Sequence, residues 1–385
     1  MSEFRTIREL CSVVVDCPHS TPKWTANGKI VIRNKNIKHG KIDFSSPSYT
    51  DDEHFAQRIK RAKPQPGDII ITREAPIGDV GMIPENTECC LGQRMVLLRA
   101  NQSVCDNFYL LYSLQSLYVQ HQISWSEGTG TTVSNLRIPH LEQIQIPYLP
   151  LEQQAKISSV LRALEEKIEN NRRLNDNLAD LLQTIYQERF GNDILAVNQG
   201  VLSDICSYSR DKVAVSELNV ITYFSTENML SGKAGSTEAT SLPTTSQTTA
   251  CHKGDTLISN IRPYFKKIVY CEDKCGCSTD VLCFTPSQPC YSAYLFSTLY
   301  ADKFFAFMVA GSKGTKMPRG DKQQIMTYPV VLPSEEELAG FNTIASPLLE
   351  QIYSNRAENK RLSILRDTLL PKLMSGEINV SAVQL

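Results

Sequence analysis

The feature that most constrains this chain is an internal repeat. A Gly-Asp pair opens a β-branched run at Gly67 and again at Gly254, 187 residues later. A Leu-Pro pair precedes a long charged stretch at Leu149 and again at Leu332, 183 residues later. Repetition at one period indicates two units of the same architecture. The 385 residues therefore divide into two copies of about 185 residues each.

The long charged stretch of each copy has a heptad pattern. Its spacing predicts two coiled-coil helices that meet along the repeated positions. The residues from Ile157 to Arg189 would form a rod about 50 Å long. Steps of four and three residues connect Ile157, Leu161, Leu164, Ile168, Asn171, Asn175, Leu178, Leu182 and Ile185 in the first copy, and Phe341, Ala345, Leu348, Ile352, Asn355, Asn359, Leu362, Arg366 and Leu369 in the second.

Both copies place Asn at the same two seam positions. A buried Asn weakens a coiled coil but fixes its register when a partner amide bonds to it. If the two helices are antiparallel, Asn171 faces Asn359. Asn175 then faces Asn355, so that each amide has a partner. The alternative is that these side chains are tolerated on a solvated helix face.

Residues that border helices lie at both ends of these stretches. Two prolines depart from the pattern. Pro347 should kink the second helix or delay its start, and Pro371 should kink or end its last turn. The bordering residues are Pro150, Gly191, Pro333 and Gly376.

The remainder of each copy predicts mixed α and β structure. One helix per copy is predicted, at 107–123 and at 292–309, with its aromatic side chains in the core. The predicted fold class is α+β: two globular α/β domains in a pseudo-twofold arrangement, joined by two long antiparallel coiled-coil helices. The predicted globular domains are 1–150 and 192–333, the helices 151–191 and 334–376, and the tail 377–385. The strand-like runs are 30–32, 68–72, 95–98, 220–223, 257–258 and 267–270.

Composition restricts the class of protein. Forty Lys and Arg against 41 Asp and Glu give a net charge of −1, which argues against binding to nucleic acid or membrane by bulk charge, but not against a locally basic groove. No apolar run approaches the roughly 20 residues of a membrane span, so we expect a soluble, cytoplasmic protein.

Twelve Cys residues without a secretory segment are expected to be thiols. One group of them has a spacing that resembles a zinc site, although it lacks paired CxxC knuckles. A strand-and-turn core is the alternative for this group. Its members are Cys271, Cys275, Cys277 and Cys283.

Motifs of self-contained catalysis are missing from the sequence. It has no GxxxxGK[ST] loop, no dinucleotide fingerprint and no GxSxG elbow. The six His are not spaced as a zinc or catalytic pair. We therefore expect no catalytic residue, no metal and no cofactor, and a role in recognition or assembly.

A loop rich in small and hydroxyl residues follows the predicted helix of each copy. It reads SWSEGTGTTVSN at 124–135 and GSKGTKMPRG at 311–320. Backbone N–H groups beside Thr hydroxyls and Lys suit phosphate oxygens. An ordinary flexible turn is the alternative. The candidate nucleic-acid contacts in these loops are Thr129, Thr131, Thr132 and Asn135, and Lys313, Thr315, Lys316 and Arg319.

Further basic residues lie on or beside the predicted strands. Arg reads guanine and Gln reads adenine through bidentate hydrogen bonds, so Gln93 and Arg94 form a candidate base-reading pair. Taken singly, each such residue is also an ordinary solvated charge. The other candidates are Arg33, Lys35 and Arg73 in the first copy, and Arg262, Lys266 and Lys267 in the second.

Three segments carry a family resemblance: PGDIIITREAPIGDVG at 66–81, YLPLEQQAKI at 148–157 and LRDTLLPKLMSGEI at 365–378. Together they resemble the specificity subunit of type I restriction-modification systems. The resemblance extends over both copies and over the order of their parts. The second copy departs from it, with LPSEEE in place of LPLEQQ and NIRPYFKK in place of ITREAPIGDV.

The resemblance implies a DNA-binding subunit without catalysis of its own. Two target recognition domains would each read one half of a bipartite double-stranded DNA site, and the helices would set the gap between the halves. Two methylation subunits, which bring S-adenosylmethionine and modify adenine, would bind the coiled coil. A motor and nuclease subunit would complete the restriction enzyme.

Two other readings belong to different classes. A non-DNA assembly scaffold, with two binding modules on a coiled coil, is the alternative. A self-contained methyltransferase is disfavoured because the sequence has no [DNS]PP[YFW] quartet.

Overall fold

The structure is a computed structural model, and it describes residues 3–38, 40–125, 135–191, 199–378 and 380. Its contacts divide the chain into two compact units. Unit 1 consists of Met1–Ile168 together with Lys360–Leu385, and unit 2 consists of Glu169–Asn359. Each unit therefore combines one globular part with one end of each of two long helices.

The elements of unit 1 are short apart from the long helices. Its strands are β1 Glu3–Thr6, β2 Cys11–Asp16, β3 Lys29–Ile32, β4 Ile37–Lys38, β5 Lys41–Ile42, β6 Ser48–Thr50, β7 Ile69–Thr72, β8 Val80–Met82, β9 Cys89–Leu91, β10 Met95–Ala100 and β11 Gln145–Tyr148. Its short helices are α1 Ile7–Leu10, α2 Asp52–Arg58, α3 Asn107–Gln115, α4 Leu117–Trp125 and α5 Ile138–Gln143.

The centre of unit 1 is a four-stranded antiparallel sheet in the order β2-β10-β7-β8. Leu97 of β10 pairs with Val15 of β2 on one side and with Ile70 of β7 on the other. All four residues of β7 are buried because both faces of the sheet are covered. Ile69 and Ile71 pack in the core that contains α3 and α4, and Ile70 packs in a second core with β3 and β9. Burial on both faces explains why this strand is a continuous apolar run.

The elements of unit 2 follow a similar order. Its strands are β12 Gln199–Val201, β13 Cys206–Tyr208, β14 Lys212–Ala214, β15 Tyr223–Phe224, β16 Gln247–Cys251, β17 Thr256–Ser259, β18 Ile268–Tyr270, β19 Cys275–Cys277, β20 Val281–Pro286 and β21 Pro329–Val331. Its short helices are α7 Leu202–Ile205, α8 Ser292–Tyr300, α9 Asp302–Ala310 and α10 Lys322–Ile325.

Unit 2 repeats the central sheet of unit 1. Its antiparallel order β13-β20-β17-β18 corresponds to β2-β10-β7-β8. A buried contact recurs as well: Tyr109 Oη donates to Pro147 O at 2.8 Å. In unit 2, Tyr294 Oη donates to Val331 O at 2.6 Å. The internal repeat and the α+β fold class are confirmed.

The helix predicted in each globular part is two helices in the structure. The backbone is extended at Ser116, between α3 and α4, and at Ala301, between α8 and α9. Ser116 Oγ donates to Ser113 O at 2.6 Å and accepts from Val119 N at 3.4 Å. A local hydroxyl therefore competes with the helical backbone bonds at this point.

The strand predicted at 220–223 is also wrong. The side chain of Asn219 closes a turn by accepting hydrogen bonds from Ile221 N at 2.8 Å and Thr222 N at 3.0 Å. An Asn side chain that bonds to the backbone two or three residues later favours a turn over a strand. Only Tyr223 of the predicted run joins a strand, β15.

The two long helices are α6, Leu151–Phe190, and α11, Glu335–Met374, with 40 residues each. Each is about 60 Å long, longer than the predicted rod. The late start predicted from Pro347 is wrong, because a capping box begins thirteen residues upstream, at Ser334. Ser334 Oγ accepts from Glu337 N at 3.3 Å, and the Glu337 carboxylate accepts from Ser334 N at 2.8 Å. The helix ends three residues after Pro371, as predicted. No helix in the described part of the chain is long and apolar enough to cross a membrane.

The heptad seam is confirmed, since each of its 18 residues is buried or half-buried. Within unit 2, Asn171 Nδ2 donates to Asn359 Oδ1 at 2.9 Å. Asn355 Nδ2 donates to Asn175 Oδ1 at 2.8 Å. These are the predicted partners. From the first pair to the second, the residue number increases along α6 and decreases along α11, so the helices are antiparallel here.

The far end of α11 completes the core of unit 1. Leu373 and Met374 are buried in the same core as α3 and α4. Glu165 of α6 accepts a hydrogen bond from Tyr112 Oη at 3.0 Å and lies 3.7 Å from Arg366 Nη1 of α11. Unit 1 therefore depends on a chain segment that begins 260 residues after its central sheet ends, at Lys360 against Ala100.

The cysteines are thiols, and all but Cys290 are buried. Burial raises the pKa of the Cys11 and Cys89 thiols to about 12. Within the described ranges, no group of three His, Cys, Asp or Glu side chains has an arrangement that could hold a metal ion. The group with zinc-like spacing, Cys271, Cys275, Cys277 and Cys283, lines one buried core together with Cys251 and Met229.

One buried ion pair distinguishes the two central sheets. In unit 1, Arg99 Nε and Nη2 each lie 2.7 Å from an oxygen of Asp68, whose side chain is 3% exposed. In unit 2 the equivalent carboxylate, Asp255, is also buried; it accepts from Cys283 Sγ at 3.3 Å and lies 3.9 Å from His252 Nδ1. The carboxylate thus has a guanidinium beside it in unit 1, and a thiol and an imidazole in unit 2.

Replacement of Arg99 by Met should destabilise unit 1 by about 3 kcal/mol, because Asp68 is left buried without its counter-charge. Chemical denaturation, followed by a probe in unit 1, measures this free energy of unfolding. The double variant Asp68→Asn, Arg99→Met should recover part of the loss. Arg8→Met, which breaks an exposed pair with Glu142, is the control; an equal loss in both single variants would contradict the prediction.

Replacement of Asn175 by Ala should cost about 1 to 3 kcal/mol, because Asn355 then keeps a buried amide without its partner. Replacing both residues by Leu should be nearly neutral, because no polar group is left unpaired. Denaturation of the three proteins checks this order. Equal losses for the single and the double variant would contradict the amide-pair account.

Candidate nucleic-acid interface

In both units the candidate residues lie where a central strand leaves the sheet. Strand β7 is followed by Arg73 and strand β17 by Asn260. Each position is held between two other segments by equivalent backbone bonds. The bonds are Arg73 N to Arg94 O at 2.8 Å and Leu136 N to Arg73 O at 3.0 Å, and Asn260 N to Asp280 O at 2.8 Å and Gly320 N to Asn260 O at 3.3 Å.

The turn after each strand has a residue other than Gly with positive φ directly before a proline, although the peptide bond is cis only in unit 1, at Ala75–Pro76. Ala75 has a φ of 46° and precedes Pro76, and Arg262 has a φ of 51° and precedes Pro263. Positive φ is uncommon for residues other than Gly. The segment NIRPYFKK is therefore the structural counterpart of REAPIGDV, although its sequence departs from it.

Arg73 is engaged with the protein itself. Its Nη1 lies 2.9 Å from both carboxylate oxygens of Asp16, and its Nε donates to Leu136 O at 2.9 Å. Asn135 accepts from Arg73 Nη2 at 3.2 Å and donates to Glu74 at 2.8 Å. The side chain of Arg73 is 12% exposed. The geometry favours a positioning role for Arg73 and Asn135 over the predicted direct contact.

The other predicted residues of unit 1 are more accessible. The exposed Arg33 guanidinium lies 4.9 Å from the ring centroid of Trp24. Lys35 Nζ donates to Ser46 Oγ at 3.1 Å. Arg33, Lys35 and Arg94 are exposed, and Arg94 Nε lies 3.2 Å from a Glu74 oxygen.

Gln93 and the first loop differ from the expectation. The Gln93 side-chain amide donates to the carbonyl of His19, so one of its donors is already used. In the predicted pair, the Gln93 amide therefore bonds to the protein itself, whereas the Arg94 side chain is exposed. Thr129, Thr131 and Thr132 lie outside the residues that the structure describes.

In unit 2 the structure brings two predicted segments together. Arg262 N donates to Pro318 O at 2.8 Å, and Arg262 Nη2 donates to Lys316 O at 3.4 Å. Lys313 and Arg319 exchange backbone hydrogen bonds, both of 2.9 Å, which close the loop between them. The turn at 262–266 and the loop at 313–319 therefore form one continuous surface.

The exposed cations of this surface have half-buried carboxylate partners. Lys313 Nζ lies 2.5 Å from Asp321, and Arg319 Nη2 lies 2.9 Å from Asp280. The Lys313 ammonium, followed by backbone N–H bonds, lowers the pKa of Asp321. Ion pairs of surface cations contribute little stability, so these contacts leave the cations able to change partners. Thr315 and Lys316 are exposed in the same loop.

Lys266 and Lys267 differ in accessibility. Lys266 shares the carboxylate of Asp302 with Lys233, at 3.0 and 2.7 Å, and these two ammonium groups lower the pKa of Asp302. Lys267 Nζ donates to Thr226 O at 2.5 Å, and burial lowers its pKa. Lys267 therefore anchors the turn, whereas Lys266 lies at its surface.

Sequence reasoning missed the exposed apolar residues beside these cations. Trp24 is 45% exposed next to Arg33, and Tyr264 and Met317 are each 51% exposed on the surface of unit 2. A signal for Tyr264 was present, because two aromatic residues follow Arg-Pro directly before two Lys. Trp24 and Met317 have no comparable sequence signal.

Comparison with known proteins identifies the class of this chain. Residues 3–179 match the family model of the type I restriction modification DNA specificity domain. The MjaIX type I restriction enzyme specificity subunit of Methanocaldococcus jannaschii is 24% identical over 82% of this chain and 78% of that protein. The MjaX specificity subunit of the same organism is 32% identical, but the match covers 29% of this chain and only 25% of that protein.

A solved structure supports the same assignment at the level of the fold. The S subunit of a type I restriction-modification system from M. genitalium has a TM-score of 0.61 at 19% identity, covering 97% of this chain and 96% of that one. This is a likeness of fold over both units. The chain therefore resembles type I restriction-modification specificity subunits, by the family model over residues 3–179 and by fold over both units.

Proposed function

We propose that this protein is the sequence-specific DNA-binding subunit of a type I restriction-modification enzyme. Each globular domain, 1–150 and 192–333, is a target recognition domain that reads one half of a bipartite double-stranded DNA site. The subunit is not itself catalytic. A non-DNA assembly scaffold remains the alternative from another class.

The observation that carries the proposal is the recurrence of one surface in both units. In each, a positive-φ residue and a proline follow the third strand of the central sheet, and exposed cations surround this turn. A duplicated binding surface suits a target with two separate half-sites. The exposed candidates for contact are Arg33, Lys35 and Arg94 in unit 1, and Lys313, Thr315, Lys316 and Arg319 in unit 2, with the half-buried Lys266 beside them.

The long helices supply the second part of the proposal. Paired seam amides fix one register between α6 and α11, and a fixed register holds a constant gap between half-sites. Exposed apolar residues on both helices, such as Leu181 and Ile364, suit a docked protein. We propose that two methylation subunits bind there and that a motor and nuclease subunit joins them.

Replacement of Lys313, Lys316 and Arg319 together by Ala should weaken DNA binding by the assembled methyltransferase. The slope of log affinity against log salt should flatten by about 2 to 3, since each lost phosphate contact removes about 0.9. Titration at several salt concentrations measures both quantities. Lys274→Ala, which removes an exposed, ion-paired cation of the same unit, is the control. An unchanged slope would remove this loop from the interface.

Insertion of four residues into each long helix, between 172 and 173 and between 357 and 358, should lengthen the gap by one to two base pairs. The reason is that each insertion adds about 6 Å and a four-residue stutter is tolerated by coiled coils. Methylome sequencing of cells that express the complete system reads the bipartite motif directly. The half-sites should not change.

The double variant Arg172→Ala, Arg173→Ala, which keeps the length of α6, is the control and should keep the original gap. An unchanged gap in the insertion variant would refute the spacing role. A methylome without any bipartite motif, in cells that produce the complete system, would favour the scaffold alternative.

A further inference from the structure

An aromatic pair is displayed on the surface of unit 2. Tyr264 is 51% and Phe265 38% exposed, and their ring centroids lie 4.8 Å apart. Met317, in the loop that Arg262 bonds to, is 51% exposed. Three large apolar side chains thus face solvent on two neighbouring segments, where they lose the free energy that burial would provide.

The backbone holds this pair in place. The turn Pro263–Phe265 lies between Arg262 and Lys266, both with a φ of 51°. Three backbone hydrogen bonds connect this turn to two other segments. Arg262 N donates to Pro318 O at 2.8 Å, Gly232 N to Phe265 O at 2.8 Å, and Lys233 N to Lys266 O at 2.9 Å. Residues held in a sparsely populated conformation persist only where the surroundings determine them, and they cluster at binding sites.

The turn itself does not require aromatic residues. Its counterpart in unit 1 has Ile77 and Gly78 at the equivalent positions and is closed by α4: Gln120 Nε2 donates to Gly78 O at 3.0 Å. A Cβ on Gly78 would lie 3.0 Å from Ile123. In unit 2 helix α9 packs against the turn, yet both rings remain exposed. The pair is therefore an addition to the shared scaffold.

The surroundings of the pair indicate a polyanion. Lys266 lies on the same turn, and Lys316 and Arg319 lie on the adjoining loop. Lys316 and Arg319 are both exposed. An apolar tip beside cations suits duplex DNA, which offers phosphates at its surface and stacked bases within.

We propose that Tyr264 and Phe265, with Met317 beside them, form a wedge that enters the DNA at the half-site of unit 2 and unstacks one base step. The wedge rests on the proposed DNA-binding function and deepens it. Flexible pyrimidine–purine steps open at the lowest cost, so the wedge selects sequence through deformability. Unit 1 has no counterpart at this turn, so the half-sites are read in different ways.

The test uses the complete methyltransferase and duplexes that carry its methylome-derived site. 2-Aminopurine is placed in turn at each position of each half-site except the methylated adenines and their immediate neighbours, because methyltransferases extrude their target base. Unstacking should raise the fluorescence at one step of a single half-site. Tyr264→Ala should abolish this rise and weaken binding about tenfold or more, with an unchanged salt slope, because no phosphate contact is lost. Tyr264→Trp should keep both the fluorescence and the affinity.

Ile221→Ala, which truncates another exposed apolar residue of unit 2, is the matched control and should bind like the wild type. An unchanged thermal unfolding curve for Tyr264→Ala excludes a folding defect. If the wild type binds its site but fluorescence is silent at every position, or if Tyr264→Ala binds equally well, the wedge is overturned and the proposed function stands. If the wild type binds no DNA specifically, the proposed function fails and the wedge fails with it.

Discussion

The antiparallel pairing of α6 and α11 is the constraint on which the rest of this fold depends. Each compact unit takes one end of each long helix into its own structure, and unit 1 therefore consists of two separate pieces of chain. In unit 1 the end of α11 fills the core, and in unit 2 the end of α6 supplies Leu182, Tyr186 and Phe190. The amide pair of Asn175 and Asn355 rejects other registers, since a shift would leave buried amides unpaired. Hydrogen bonds between four Asn side chains thus determine which segments of α6 and α11 pack together.

The sequence predicted those parts of the fold that follow from periodicity. The heptad seam, the amide partners and the duplication could all be read from spacing, because helix geometry turns spacing into facing positions. The break at Ser116 and the turn at Asn219 could not, since a single side-chain hydrogen bond decided each of them. A capping box at Ser334 likewise outweighed the proline inside the helix.

The DNA contacts of the candidate interface stay predictions, but the structure shows the state of their side chains. Charge and residue type singled out segments 262–266 and 313–319, which the structure brings together. Tertiary contacts decide which cations are accessible to a ligand. Arg73 is held by Asp16, whereas Arg33 is exposed. Carboxylates lie beside exposed cations such as Lys313 and Arg319, which is consistent with a net charge near zero. Such ion pairs at the surface weaken with salt.

The buried cysteines have a consequence for how this protein can be observed. Only the thiolate reacts quickly with alkylating reagents, and burial raises the pKa of Cys11 and Cys89 in unit 1 and of Cys206 in unit 2 to about 12. These thiols therefore react only when the surrounding structure opens. Both units contain such thiols. The rate at which each cysteine is alkylated therefore reports how often its own unit opens, and no engineered label is needed.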